Sequence, residues 1–375
     1  MGEARLDRSP RSARELLLAP ALHPPLDRAA APEVVRAQVA ATARRLAARL
    51  GRPATKASCL DRWRTLAALG RSDLVVARLV EGHLDALAIL DEAGRAAQSD
   101  LLYGVWASAS GGTGPRLTTA GDALALDGTM RFCSGADTVD RVLVTAKDDD
   151  EPVRLIDVAV DPVRMAPDRT SWPALGMDAS DSFDVTVESL PVLASDLVGP
   201  AGFYVNRRGL PLGGIGVAAV WLGGAQGVLD AALQLLRRFG ADEHQLAHIG
   251  AVTAAVESAA ATLVTVASLL DAESSSRTGG DGRDADVDGL HRVANTCRSV
   301  VEAAVGVALQ RLPRVAGPVA LSRDADFAHR LADLEVYVRQ HHAERDLARL
   351  GAAELAEPWS SACPSPAHDA SHADA

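Results

Sequence analysis

The sequence predicts a mainly α-helical chain with a central β-domain, in the order α–β–α, on three observations. Apolar residues recur at helical spacing before about residue 100 and again after Gly209. Between these stretches, over roughly residues 101–199, short apolar runs are separated by Gly, Ser, Thr and Asp, as strands require. Four long Ala- and Leu-rich stretches then follow one another through short links, the pattern of an antiparallel four-helix bundle.

Taken in order, residues 1–31 are rich in Arg, Pro and Ala without sustained periodicity and read as a flexible leader. An N-terminal helical domain is expected over 32–100. Pro32 suits a first helical turn, Val35, Val39, Leu46 and Leu50 share a face, and Gly51 is a natural stop. A second amphipathic stretch runs from Asp73 to Glu92. The middle β-domain, 101–200, contains runs such as Ala123–Leu126, Val142–Val144 and Leu155–Val160, bounded by Asp127-Gly128 and Asp148-Asp149-Asp150 as turns. Six to eight short strands in a small barrel or sandwich fit this region. The bundle, 201–357, is expected as helices over 209–238, 242–273, 288–312 and 325–356. Its Ser-, Gly- and charge-rich segment 273–288 reads as a flexible loop, and 358–375 as a disordered tail.

With 375 residues, 48% of them hydrophobic, the chain has material for several cores. A formal net charge of -11, with only Lys56 and Lys147 among its lysines, argues against a nucleic-acid surface. Cys59, Cys133, Cys297 and Cys363 are scattered and form no zinc or disulfide pattern, so no metal site and a cytoplasmic location are expected. No uninterrupted apolar run reaches the ~18 residues of a membrane span.

Two strings are more specific than composition. Asp127-Gly128-Thr129-Met130-Arg131-Phe132-Cys133-Ser134-Gly135-Ala136 places a Gly turn before a strand with an aromatic two positions ahead of a Ser, and Leu175-Gly176-Met177-Asp178-Ala179-Ser180-Asp181-Ser182 opens a later strand. With the α–β–α order, these strings resemble the acyl-CoA dehydrogenase family of flavoproteins over about residues 70–352. The resemblance implies an acyl-CoA dehydrogenase-like fold, a bound FAD and α,β-dehydrogenation of an acyl thioester on coenzyme A or a carrier protein. It also implies an electron acceptor protein or a reductase as partner, and a homodimer or homotetramer.

On that resemblance Ser134 is the flavin-edge hydroxyl, Phe132 its aromatic neighbour, and Trp106, Ser108 and Ser110 the opposite wall of the ring site. Arg237, Arg238, Gln245 and Gly317 are the nearest counterparts of the adenosine-diphosphate contacts, although their spacing departs from the family's. The family's catalytic Glu is missing, since its two usual places fall on Gly213 and at His341. A neutral imidazole is a workable base near its ordinary pKa of ~6.5, so His341 is the candidate base. Glu344, three residues on along a continuing helix, would orient it.

Other patterns read as structural. Gly214, Gly216 and Ala219 mimic a dinucleotide fingerprint without its preceding strand. His244 and His248 have the spacing of a metal pair without a third ligand, and His83 suits packing on an apolar helix or, failing that, a place lining the substrate channel. The missing Glu leaves two alternatives to dehydrogenation: a flavin-dependent monooxygenase on the same fold, or a non-catalytic scaffold.

Overall fold

The computed structural model describes residues 12–51, 57–108, 114–120, 123–148, 151–276 and 287–356. The expected tail 358–375, the middle of the expected loop 273–288, and Ser110 lie outside them.

The chain begins with helices that are capped by their own sequence. Ser12 accepts from the Glu15 amide at the start of α1 (Ala13–Leu17), and Pro32 opens α2 (Pro32–Leu50). Ser58 accepts from Asp61 to open α3 (Cys59–Ser72), and Asp73 accepts from both Val75 and Val76 to open α4 (Leu74–Glu92). The segment read as a leader is packed from Ser12 onward, with Leu17 fully buried.

Seven strands follow among the described residues: β1 (Tyr103–Trp106), β2 (Arg116–Ala120), β3 (Ala123–Cys133), β4 (Arg141–Asp148), β5 (Glu151–Ala159), β6 (Met165–Asp168) and β7 (Phe183–Val192). They form one mixed sheet in the order β1-β4-β2-β3-β7-β6, with β5 on β4. β1 runs parallel to β4, whereas β3 and β7 form the long antiparallel pair. Asp127-Gly128, expected as a turn, is instead a bulge inside β3. Gly128 has φ 126°, the register shifts between Leu126 and Gly128, and a side chain there would meet Pro115.

After a short helix α5 (Phe203–Asn206), α6 (Gly209–Phe239), α7 (Glu243–Ser276), α8 (Val287–Arg323), α9 (Ala325–Val338) and α10 (Glu344–Ala356) complete the chain. Two expected ends move. α8 passes through Pro313 and kinks only at Gly317, with φ 71° ahead of Pro318. The stretch expected as one helix over 325–356 breaks after Val338, where residues 339–343 form a turn containing Ala343 at φ 41°.

α6 and α7 are both long and apolar enough to cross a membrane by length and composition, which the count of uninterrupted apolar residues did not register. α6 is a core helix, 78% buried over its apolar window, and it crosses α3 so closely that Gly70 faces the Val220 carbonyl and Gly223 the Ala67 carbonyl. α7 buries only 28% of its window. Separate apolar cores fill the helices and the sheet. A third cluster, including Ile89, Leu90, Tyr103, Leu143 and Leu155, welds α4 to the sheet and fixes the two walls of the cavity described next.

Candidate functional site

A cavity of about 740 Å³ lies between the sheet and the helices, in the size range of small-molecule and cofactor sites. Its sheet-side wall carries Ser108, Phe132, Ser134, Trp172, Ser180 and Ser182. Its helical wall carries Arg78, Glu81 and Asp85 from α4, Tyr204 and Arg207, Gly213 and Gly214 from α6, Arg298 from α8, and Tyr337 from α9.

On the sheet side, Phe132 sits at φ 58° with its ring half exposed and edge-on to Trp172, 6.3 Å between centroids. Trp106 closes the floor by donating from Nε1 to the Ser134 carbonyl at 3.1 Å, and the Gly135 amide donates to Ser180 O. Three hydroxyls then form a relay. Ser180 Oγ donates to the Met177 carbonyl at 2.6 Å, Ser180 and Ser182 are 2.8 Å apart, and Ser182 and Ser134 are 2.9 Å apart. Arg78 Nε donates to Ser134 Oγ at 3.1 Å. Because a carbonyl can only accept and a guanidinium can only donate, the direction of the relay is fixed. Ser134 donates to Ser182, and Ser182 to Ser180. Each hydroxyl proton is thereby spent, and Ser134 Oγ faces the cavity as an acceptor.

The helical wall is charged and largely paired. Arg78 Nη1 donates to Glu81 Oε2 at 2.6 Å, and the Tyr337 hydroxyl reaches the same oxygen at 3.5 Å. Burial pushes the Glu81 carboxyl above the usual carboxylate range, with Arg78 pulling it back and Asp85 adding to the rise. Arg207 pairs with Asp85 and Glu92. Burial pushes Tyr204 up to about 12.

The two walls are joined beneath the turn at 176–182. Asp333 of α9 accepts from the Met177 amide at 2.6 Å and from Arg28 at 2.7 Å, while Arg28 also reaches Asp73 and approaches Asp178. Three carboxylates thus share one guanidinium. Burial, aided by Asp73 and Asp178 and opposed by Arg28, raises Asp333 to about 7. Asp178, His329 and Asp333 have the spacing of metal ligands, but Arg28 is already the cation among them.

Of the residues expected from sequence, Ser108, Phe132 and Ser134 line the cavity and Trp106 backs it. His341 does not line it. It is 2% exposed, its Nε2 meets Ser299 Oγ and its Nδ1 meets the Ala343 amide. Burial and the nearby Arg298 lower its pKa. Glu344 does not orient it, because the helix ends at Val338 and Glu344 is exposed at the start of α10; Asp346 turns in instead and accepts from the His342 amide.

Arg237 and Arg238 are exposed in the last turn of α6, Arg238 lying over Phe239. Gln245 accepts from the Asp242 amide and donates to Val315 O, and Gly317 makes the α8 kink. None of the four lines the cavity. His83 accepts from the Tyr103 amide and falls to about 4 through burial, a packing role. Arg78, Glu81, Trp172, Ser182, Arg298 and Tyr337 received no role from sequence, although Ser180 and Ser182 lie in the second string singled out there.

No protein-family model and no curated protein matches the sequence. Solved structures do match. TdsC, a dibenzothiophene monooxygenase from Paenibacillus sp. A11-2 solved with FMN and indole, superposes with a TM-score of 0.70 at 21% identity, over 86% of this chain and 90% of that one. KijD3 in complex with FMN and a dTDP-linked amino keto sugar gives 0.69 at 18% over 92% and 96%. The methanesulfinate monooxygenase MsuC from Pseudomonas fluorescens gives 0.68 at 19% over 85% and 97%. The fold is acyl-CoA dehydrogenase-like. Likeness at these identities establishes the fold alone.

Proposed function

We propose that the chain is a flavin-dependent monooxygenase that works with reduced FMN supplied by a partner reductase. The observation that carries this reading is the direction of the hydroxyl relay. Oxidised flavin presents a bare ring nitrogen at N5 and needs a donor there, whereas reduced flavin presents an N–H and needs an acceptor. Ser134 offers the acceptor. Fold neighbours solved with FMN, two of the fold's relatives being monooxygenases, support the same reading.

The residues present fit such a group. Phe132 and Trp172 give an aromatic boundary, the serines give a polar edge, and the cavity has the volume. FMN is proposed in place of the FAD first expected, because Gln245, the nearest match to an adenine-side contact, has its amide engaged at both ends within its own subunit. When bound, reduced flavin supplies the electrons with which dioxygen delivers one atom to substrate and the other to water.

The chain's part is to hold and shield. The aromatic edges exclude water, Arg78 fixes the Ser134 hydroxyl, and the Glu81 carboxyl, its pKa raised by burial, holds or yields a proton while its Oε2 accepts from Arg78. Dehydrogenation of an acyl thioester is the second reading. It lacks support from the cavity walls: of the two places of the family's carboxylate base, one is Gly213, which has no side chain, and the other, His341, lies off the cavity against Ser299.

Anaerobic titration with oxidised and reduced FMN tests the proposal. Reduced FMN is expected to bind about tenfold tighter, the worth of one hydrogen bond of ~1.4 kcal/mol, and Ser134→Ala is expected to erase most of that difference. Equal affinities, or bleaching of bound flavin by an acyl-CoA, would turn the assignment back to dehydrogenation. No flavin binding at all would favour a scaffold.

A further inference from the structure

Four arginines line the cavity: Arg78, Arg207, Arg298 and Arg339. Three have carboxylate partners within the protein. Arg78 pairs with Glu81, Arg207 with Asp85 and Glu92, and Arg339 with Glu302 and Glu335. Arg298 has none among the described residues. Its Nη1 donates to the Gly214 carbonyl at 2.9 Å and its Nη2 to the Gln340 carbonyl at 2.9 Å, and the guanidinium lies over the Trp221 ring, 4.7 Å from its centroid.

A guanidinium carries five N–H donors in a fork suited to oxyanions, so two carbonyls leave most of that fork unused. A charge in this setting is costly unless something compensates it. The remaining acidic groups near it are committed elsewhere. Asp346 accepts from the His342 amide and from Arg349, and Glu81 is held by Arg78 one turn away on α4. Burial lowers the pKa of Arg298, as expected for a cation whose surroundings do not fully answer it. Gly213 and Gly214 keep the intervening wall thin: a side chain at Gly214 would meet Arg298, and one at Gly213 would meet Asp85.

We propose that Arg298 is a specificity determinant that binds an oxyanion, a carboxylate, on the substrate. The word substrate rests on the oxygenase reading above; the anion site itself does not. Stacking on Trp221 and the two carbonyls hold the fork in place on the helical wall of the cavity, so an organic acid would enter with its carboxylate on α8. Neutral molecules of the same shape would leave the charge unanswered and bind less well.

Calorimetric titration of the full chain with benzoate and with benzamide, an uncharged mimic, tests this. Benzoate is expected to bind the wild type at least about tenfold tighter. Arg298→Lys is expected to keep part of the preference, and Arg298→Gln, which retains a donor for the Gly214 carbonyl, to abolish it with the native circular dichroism spectrum retained. Equal binding of the two compounds, no saturable benzoate binding, or a preference that survives Arg298→Gln would overturn the proposal.

The phosphate of the flavin is the other possible source of an oxyanion, and FMN against riboflavin separates the two. Arg298→Gln is expected to leave the FMN preference intact. Its collapse would assign Arg298 to the cofactor and overturn the substrate assignment. If FMN fails to bind in either redox state while the benzoate preference holds, the oxygenase reading falls and the anion site stands.

Discussion

The two walls of the cavity differ in how they are built. The sheet-side wall takes its hydroxyl relay from two short contiguous strings, 127–136 and 175–182, in which neutral hydroxyls and carbonyls are hydrogen-bonded in one direction. The helical wall gathers Arg78, Glu81, Arg298 and Tyr337 from α4, α8 and α9, and its polar groups are charged and interdependent. The first wall tolerates loss of a member, because a hydroxyl removed costs one modest hydrogen bond. The second does not where its ions are paired, because removal of Arg78 strands Glu81 in a poorly solvated place.

The largest expected effect breaks the helical wall. Arg78→Met leaves the buried Glu81 carboxylate without its cation, and the cost to folding is expected at about 3–5 kcal/mol by urea denaturation. Adding Glu81→Gln should recover most of it. A single-variant loss below about 1 kcal/mol would show that this wall is no more coupled than the sheet side.

The next effect concerns the joint between the walls. Asp333 holds its proton to about pH 7 in the folded protein, while the unfolded chain gives it up near 3.8. Between those values the folded state binds the extra proton, so stability falls as pH rises from about 4 to about 7 and levels off above, by on the order of 1 kcal/mol per pH unit. Asp333→Asn keeps an acceptor for the Met177 amide and removes the titration. Its stability should lack this slope. A slope unchanged in the variant would place the titration on another group.

The same contrast explains what the sequence allowed to be read. Ser134 and Phe132 were legible because they stand two residues apart in one string that resembles the flavoprotein family, and Trp106 because the same resemblance puts its short strand opposite them. Ser182 stood inside a string already singled out, but its role depends on meeting Ser134 across the β3–β7 pair, which no local pattern states. The helical wall left no local mark at all: Arg78, Arg298 and Tyr337 sit on three helices whose neighbours in sequence are ordinary packing residues. The failure at His341 has a local cause. The periodicity of 325–356 reads as one helix, yet the turn at 339–343 with Ala343 at φ 41° ends it, so His341 faces Ser299 and Glu344 faces solvent. The tertiary contact of Arg298 with the Gln340 carbonyl and the local hydrogen bond that Asp346 accepts from the His342 amide outweigh helix propensity there.

The smallest effect is on the sheet side and is the sharpest test of the relay's direction. Ser182→Ala removes the acceptor to which Ser134 gives its proton, while Arg78 continues to donate to Ser134 Oγ. The freed Ser134 proton can then turn toward the cavity, which converts the acceptor there into a donor. Stability should change by only about 0.5–1.5 kcal/mol, but the flavin preference should move from the reduced toward the oxidised form by up to about tenfold. Anaerobic titration of the variant with both forms reads this directly. If Ser182→Ala behaves like Ser134→Ala, merely erasing the preference, the proton does not turn. The sheet-side wall would then act through the geometry of its hydroxyls and not through the direction of their hydrogen bonds.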